Sequence, residues 1–425
     1  MRFLLSSFGS AGDVRPLLSV GQALSHAGHE VVALLDPGWC AIAESEYALS
    51  ATPTGEPWNA EAIASHPEWL DPKRGSVRML RELVIPRTLQ LVRDARRVSA
   101  DFKPDAIIGH HISFGLPWVA QERDIPWIMG AVAPSSWPSI EDPNLYPGMP
   151  DRDRYPKWTI RLGTTIAGRV IDRSIDPAIN AVRNELGLPP QRRTMLHAQF
   201  SDTLNLGLWS PHFRGPASDD PATTSIVGFP APPTRSNALA PELAAAINAT
   251  RASGGRLAVW SLGTTAAHLG RDLVESFLMV ATELHLTPLI LTGSQPHADE
   301  LTSRGILAAP YAPHDALFPH ADLVIHHGGI GTTASVLRAG VPSVAIPFTH
   351  DQPDNARRLR RLGVASVISP KQRNALTFKE HLQAAIQSAM ETSTRSTASD
   401  LSNRVAADEF HTLLPRAIET ALSRG

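Results

Sequence analysis

The stretch that most restricts the fold is "DLVIHHGGIGTTASVLRAG", residues 322 to 340: an apolar run, a cluster of glycines, then a helical pattern ending at Gly340. Glycine costs backbone entropy wherever it is fixed, so a cluster marks a tight turn or a backbone that something approaches closely. A strand running through such a turn into a helix is the unit of parallel α/β sheets, whose ligands bind beyond the C-terminal strand ends. A helix start at that place offers unsatisfied N–H groups and the positive end of the helix dipole, which together bind an anion such as phosphate. On this reading Gly329 and Gly331 make room for the phosphate, Thr332 and Thr333 add hydroxyl donors, and His327 at the strand end donates to a phosphate oxygen. A purely structural turn is the simpler alternative. Metal binding by the adjacent histidines is not expected, because neighbouring residues of a strand point to opposite faces. The stretch is also neither a dinucleotide fingerprint nor a P-loop, since it lacks the full G-x-G-x-x-G spacing and the Gly-Lys-Ser/Thr end.

Similar units occur along the chain. "RFLLSS" (2–7) leads through Gly9 and Gly12 into "VRPLLSVGQALSHAGH", which reads as a helix with Pro16 in its first turn and Gly28 at its end. "EVVALL" (30–35), "DAIIGHH" (105–111) and "PWIMGAV" (126–132) are further strands. After a Pro-rich break at 228–242 the alternation restarts with "RLAVWSLG" (256–263), a helix near 270–285, "TPLILTG" (287–293), the stretch above, and "VPSVAIP" (341–347). Strand–helix alternation of this kind predicts an α/β chain of parallel sheets with helices on both faces. At 425 residues the chain is long for one core, so two domains of roughly 150 to 200 residues are expected. The boundaries read as 1–227, a linker at 228–242, a second domain at 243–396, and a C-terminal helix at 397–425 that could pack back on the first. Residues 133 to 160, rich in Pro, Trp and Tyr, break the pattern and read as a long loop.

Composition excludes several classes. Net charge is −2, which carries no nucleic-acid or membrane signature. The lone cysteine, Cys40, allows neither an intramolecular disulfide nor a cysteine-based metal site. No apolar run reaches the ~18 residues of a membrane span, and the N-terminus lacks a signal-peptide pattern, so a cytoplasmic protein is expected. One basic amphipathic stretch, 77 to 97, reads as a solvated helix face broken near Pro86; a guide for an anionic or lipidic acceptor is the alternative.

Two further sites carry candidate chemistry. Asp13 sits where the loop after the first strand enters a helix, a place for a cap or, at the C-terminal edge of a sheet, for a catalytic carboxylate. "PFTHDQPDNARRL" (347–359) sets Asp351 and Gln352 at another strand-to-helix loop. An acceptor carboxylate beside a bifunctional amide suits neighbouring sugar hydroxyls, although Asp351 or Asp354 could also cap the helix.

Together these pieces resemble the family-1 nucleotide-sugar-dependent glycosyltransferases. The resemblance is strongest over "YAPHDALFPHADLVIHHGGIGTTASVLRAGVPSVAIPFTHDQPDNARRL" (311–359) and extends to the "GSAGDV" start, nearest to the sterol, glycopeptide and rhamnolipid rhamnosyltransferase members. It implies a GT-B fold of two facing Rossmann-like domains with an interdomain cleft. It implies that Tyr311 and the Ala312 backbone flank the base, and that His327, Gly331, Thr332, Thr333 and the Gly263–Thr264 turn hold the pyrophosphate. Asp351 and Gln352 would read the sugar, and Asp13 would be the general base of an inverting, metal-independent transfer. Ser10, Gly12, His111 and Trp137 are expected on the acceptor side, whose aromatic and Pro-rich loop favours an apolar or aromatic hydroxyl acceptor. No cofactor beyond a dTDP- or UDP-sugar co-substrate is expected, and Ser335 replaces a ribose-reading glutamate of plant members, which leans the donor towards dTDP. Either His110 or His111 could orient Asp13 or touch the acceptor. The "DRD" at 151–153 lies in the Pro-rich loop and reads as solvated rather than metal-binding. An epimerase of the same fold, or a non-catalytic nucleotide-sugar-binding subunit, is the alternative function.

Overall fold

The computed structural model describes residues 1–57, 66–71, 74–151, 155–233, 238–262 and 271–424. Gly263 and Thr264, and Arg152 and Asp153 of the D-x-D stretch, lie outside the described residues. The chain divides into two compact units, one containing the described residues up to 233 together with 408–424, the other containing 238–407.

The first unit holds a seven-stranded sheet of β1 (Arg2–Ser7), β2 (Glu30–Leu35), β3 (Ser50–Pro53), β4 (Ala106–His110), β5 (Trp127–Ala131), β6 (Leu204–Gly207) and β7 (Thr224–Ile226). Its strands run parallel in the order β3-β2-β1-β4-β5-β6-β7. The strand order reverses between β1 and β4. Strands covered on both faces read as continuous apolar runs, and β4 and β5 are buried at every residue. The helix Ala11–His26 buries Val14, Leu17, Leu18, Gly21 and Leu24, the stripe that a 3.6-residue period lays on one side. It starts earlier than its apolar pattern indicates, so Pro16 falls in the second turn and leaves the Gly12 carbonyl without its usual i+4 donor.

The second unit holds β8 (Arg256–Ser261), β9 (Leu286–Leu291), β10 (Leu307–Ala309), β11 (Leu323–His326), β12 (Ser343–Ala345) and β13 (Ala365–Val367), parallel in the order β10-β9-β8-β11-β12-β13. The order reverses between β8 and β11. Two apolar clusters sandwich the sheet, one around Trp260, Phe277 and Leu382, the other around Leu317, Phe318 and Val324.

Several segments differ from the sequence reading. The stretch 77–97 is not broken at Pro86: the helix Gly75–Met79 runs through a π-helical turn, Leu80–Val84, into the helix Ile85–Phe102, and the wider turn falls just before Pro86. Its arginines are largely paired, Arg78 with Glu82, Arg96 with Glu122 and Arg97 with Asp94, as a solvated face requires. The Pro-rich loop ends at Pro156, where a 29-residue helix, Lys157–Glu185, begins. The early part of 228–242 packs on the first unit: Phe229 is buried and Ser19 Oγ donates to the Ala231 carbonyl at 2.7 Å. The expected C-terminal helix is two helices. Thr392–Ala406 lies on the helix Ile330–Ala339, with Ser402 Oγ donating to the Arg338 carbonyl at 2.7 Å, and Phe410–Leu422 lies on Ala11–His26.

Gly207 of β6 faces two rigid rings. A Cβ there would lie 2.9 Å from both Trp137 and Trp209, a pair with centroids 4.6 Å apart. Gly207→Ala should therefore lower stability by about 1–3 kcal/mol through overpacking. Urea unfolding followed by tryptophan fluorescence measures it, and an unchanged midpoint would refute the packing argument.

Candidate functional site

In the first unit the reversal of strand order puts the loop after β1 beside the end of β4, in register through Ser6 and Gly109. Ser10 caps the helix Ala11–His26, and its backbone N–H and Oγ both donate to Asp13 Oδ2, at 2.9 and 2.8 Å. Asp13 Oδ1 stands 3.8 Å from His110 Nε2. The loop requires glycine at position 9: its φ is +123°, and a Cβ would lie 2.6 Å from Asp13 Oδ2. His110 is 1% exposed, and burial pushes its imidazole down to about 3, so it is neutral near pH 7. His111, half-buried, packs its ring 4.2 Å from that of His110 and reaches Ser136 Oγ at 3.5 Å. Burial and the neighbouring His110 hold it well below the usual histidine range, against a smaller upward pull from Asp13. Ser10, Gly12, Asp13, His110 and His111 thus share one end of the sheet.

Trp137 does not join them at a surface. It is fully buried against Trp209, with the Arg214 guanidinium 5.7 Å from its ring centroid.

In the second unit the corresponding reversal aligns Ser261 at the end of β8 with His326 at the end of β11. Gly328 has φ +86°, Gly329 caps the helix Ile330–Ala339, and Gly340 ends it in the left-handed conformation. Gly331 is exposed, and a Cβ there would meet nothing within 4 Å. Gly329 is tighter: a Cβ would lie 2.4 Å from His327 Nε2, so the imidazole lies over the glycine at the helix start. Thr332 and Thr333 are 7% and 0% exposed, and Thr333 N–H already donates to the Gly329 carbonyl at 2.9 Å. Both threonines are thus buried in the first turn of the helix.

Three histidines gather behind that turn. His326 is fully buried and accepts from the Gly328 N–H through Nδ1 at 3.2 Å; burial, then the neighbouring imidazoles, push it down to about 3. His327 is held at about 4 by burial and by His314, against an upward pull from the Ser261 backbone. His314 stacks on Phe318, reaches Ser261 Oγ at 3.1 Å, and is held at about 4 by burial. Sequence reading missed Ser261 and His314, because Ser261 meets the end of β11 only through the β8–β11 register and His314, from the helix His314–Leu317, meets Ser261 only in the fold. Tyr311, after β10, is 65% exposed, and Ala312 beside it is buried.

The loop after β12 meets the loop after β11 directly. A Cβ on Gly328 would lie 3.0 Å from the Gln352 carbonyl, and Asn355 Nδ2 donates both to the Gly328 carbonyl (2.9 Å) and to Asp351 Oδ2 (2.7 Å). Gln352 Oε1 accepts from the N–H groups of Phe348 and Thr349 at 2.9 and 3.1 Å. Asp351 and Gln352 thus brace the loop as well as sitting in it. Behind them the buried Asp354 binds Arg357 at 2.9 Å and Arg358 at 2.7 Å. Among the described residues no group of three or more His, Cys, Asp or Glu side chains could hold a metal ion.

Comparison with known proteins places this architecture. Residues 289–419 match the family model of the erythromycin biosynthesis protein CIII-like C-terminal domain. O-mycaminosyltylonolide 6-deoxyallosyltransferase of Streptomyces fradiae is 28% identical over 92% of this chain and 90% of its own length. Sterol 3-beta-glucosyltransferase of Saccharomyces cerevisiae (strain YJM789) is 27% identical over 90% of this chain, which spans only 32% of that longer relative. The crystal structure of the glycosyltransferase VinC in complex with dTDP superposes over the full length of both chains with a TM-score of 0.71 at 17% identity. The chain is thus similar to sterol and macrolide glycosyltransferases, and its fold is that of the GT-B structural relatives.

Two outcomes are expected. The four imidazoles held at about 3 to 4 have unfolded values near 6.5, so between those limits the unfolded chain binds more protons and stability falls as pH drops. Urea midpoints measured from pH 7.5 to 4.5 should decline below about 6.5, and His326→Gln should flatten the decline; a flat wild-type profile would contradict neutral burial. Asp354→Ala removes the carboxylate that two buried guanidinium groups bind and should cost about 3–5 kcal/mol in the same assay.

Proposed function

We propose that the protein is an inverting, metal-independent glycosyltransferase. It moves a hexose or deoxyhexose, rhamnosyl or glucosyl, from a dTDP- or UDP-sugar to a hydroxyl of an apolar or aromatic small molecule. The observation that carries this reading is the turn at Gly328–Gly331: a glycine-rich helix start, at the strand-order reversal of a parallel sheet, with His327 lying over it and exposed Tyr311 in the same unit. Its backbone N–H groups and the neutral His327 ring would take the pyrophosphate, meeting the charge that builds on the leaving group. Tyr311 would cover the base, and Gly263 and Thr264 would add to the phosphate contacts. Asp351 and Gln352 would read the sugar with whatever hydrogen-bonding capacity the loop leaves them.

Asp13 would take the proton of the acceptor hydroxyl as its oxygen attacks the anomeric carbon, while the nucleoside diphosphate leaves from the opposite face. Ser10 fixes the carboxylate through Oδ2, and Oδ1 is the atom turned towards His110. Ser10, Gly12 and His111 would line the acceptor side of this carboxylate. Ser335 is buried in its helix and supplies no carboxylate for a ribose 2′-hydroxyl, which supports a dTDP donor, as does the dTDP held by the structural relative VinC.

The test offers the protein dTDP-L-rhamnose and UDP-glucose separately, each with a panel of hydroxy-fatty lipids, sterols and phenolics, and reads product mass. Asp13→Asn should lower kcat by about 10²- to 10⁴-fold while dTDP binding by calorimetry persists. Gly331→Asp should weaken dTDP binding by at least about tenfold, since it sets a carboxylate against the phosphates. Unchanged turnover in Asp13→Asn would remove Asp13 as base, and unchanged dTDP binding in Gly331→Asp would remove the helix start as the phosphate site.

A further inference from the structure

The long helix Lys157–Glu185 keeps its inner face buried through Ile160, Gly168, Ile175 and Ile179. Its outward face is unusual. Trp158, Leu162, Ile166 and Val170 recur every fourth residue and are 68%, 54%, 52% and 57% exposed. Tyr155, just before the helix, is 50% exposed. Large apolar side chains exposed singly need no explanation, but a row of four on adjoining turns of one helix marks a surface that something covers.

The charges on this face say what covers it. Arg161, Arg169 and Arg173 are exposed on the same turns as the apolar row. Between 157 and 173 the single acidic residue is Asp172, which is buried and whose Oδ1 accepts from the Met195 N–H at 3.2 Å. Lys157, at the start, is paired with Glu141. The outward face of these turns is thus apolar and cationic with no exposed carboxylate. A second copy packed on it about a twofold axis would set arginine against arginine, a like-charge contact that an isologous interface cannot relieve. A bilayer of anionic lipids relieves it. The apolar side chains enter the acyl boundary, the arginine stems follow while their guanidinium groups reach back to the phosphates, and tryptophan sits at the headgroup level.

We propose that the helix Lys157–Glu185 docks the protein, through its first four turns, on an anionic membrane surface. No helix among the described residues is long and apolar enough to cross a membrane, so the contact is peripheral. The docking is independent of the sugar, and it goes beyond the transfer reaction: it would bring the acceptor-side unit to a phase in which apolar hydroxyl compounds collect.

The test is co-sedimentation of the full chain with vesicles of phosphatidylcholine alone and of phosphatidylcholine mixed with phosphatidylglycerol. Binding is expected to the mixed vesicles only, and to fall as salt rises. Arg169→Gln and Arg173→Gln should each weaken it about fivefold, and Ile166→Asp should abolish it. Calorimetric dTDP binding and the urea midpoint, unchanged in these surface variants, verify that they fold. The proposal is overturned if the wild-type chain leaves the mixed vesicles unbound, or if the folded variants sediment as it does. It is equally overturned if light scattering shows a dimer that Ile166→Asp dissociates, since the face would then belong to a second copy. Because the readout is sedimentation, a failure of vesicle binding leaves the transfer assay untouched, and the reverse holds.

Discussion

Each sheet reverses its strand order once, between β1 and β4 in the first unit and between β8 and β11 in the second, and the candidate chemistry depends on those two reversals. At a reversal the chain leaves neighbouring strands towards opposite faces, so the loops diverge and a crevice opens between them without any side chain being removed. Ser10 and Asp13 follow β1, and His110 and His111 end or follow β4. Ser261 ends β8, and the turn from His327 to Gly331 follows β11. None of these residues is near another in sequence across its pair. Parallel pairing through Ser6–Gly109 and Ser261–His326 is what makes them neighbours.

The second unit then has to keep its glycine turn from collapsing. A turn built largely of glycine has little packing of its own, and the adjoining loop braces it. Asn355 bridges the Gly328 carbonyl and Asp351, Gln352 ties the backbone of Phe348 and Thr349, and Asp354 anchors the helix behind them through two buried arginines. The imidazoles nearby are held neutral by burial, which matters for an anion site. Neutral histidines supply polarised N–H groups without the desolvation cost of a buried unpaired cation, and the helix start supplies the positive potential.

The α/β class and most strands were legible in sequence because buried parallel strands are uninterrupted apolar runs, as in β1, β4 and β8. The helix from Ile330 and its end at Gly340 were legible because glycine punctuates both termini. The short edge strands β3, β7, β10 and β13 were not, since three or four residues hold too little pattern and their existence is decided by a neighbour with a free edge. The helix Lys157–Glu185 was hidden for a different reason: its outward face is apolar, so the contrast that reveals a helical period is weak over Trp158–Val170. Among site residues, the glycines and Asp13 were readable as loop residues at strand ends. The burial of Thr332, Thr333 and Trp137, and the arrival of His314 at Ser261, are tertiary facts with no local sign.

Asp13 shows why a cap and a catalytic carboxylate are not competing descriptions. A free aspartate side chain rotates, and a base must be held where the proton will be. The N3 position of a helix holds it at little cost, because the backbone N–H and hydroxyl of Ser10 engage one oxygen and fix the plane of the carboxylate. The other oxygen is thereby aimed, and it points towards the end of β4, where His110 is buried and neutral. Gly9 completes the arrangement by leaving no Cβ where that carboxylate lies. The capping geometry that makes Asp13 look structural is therefore the same geometry that would position it for proton transfer, and only a substitution that keeps the cap while removing the basicity distinguishes the two. Asparagine is that substitution: its amide oxygen still accepts from Ser10, and it carries no charge with which to take a proton.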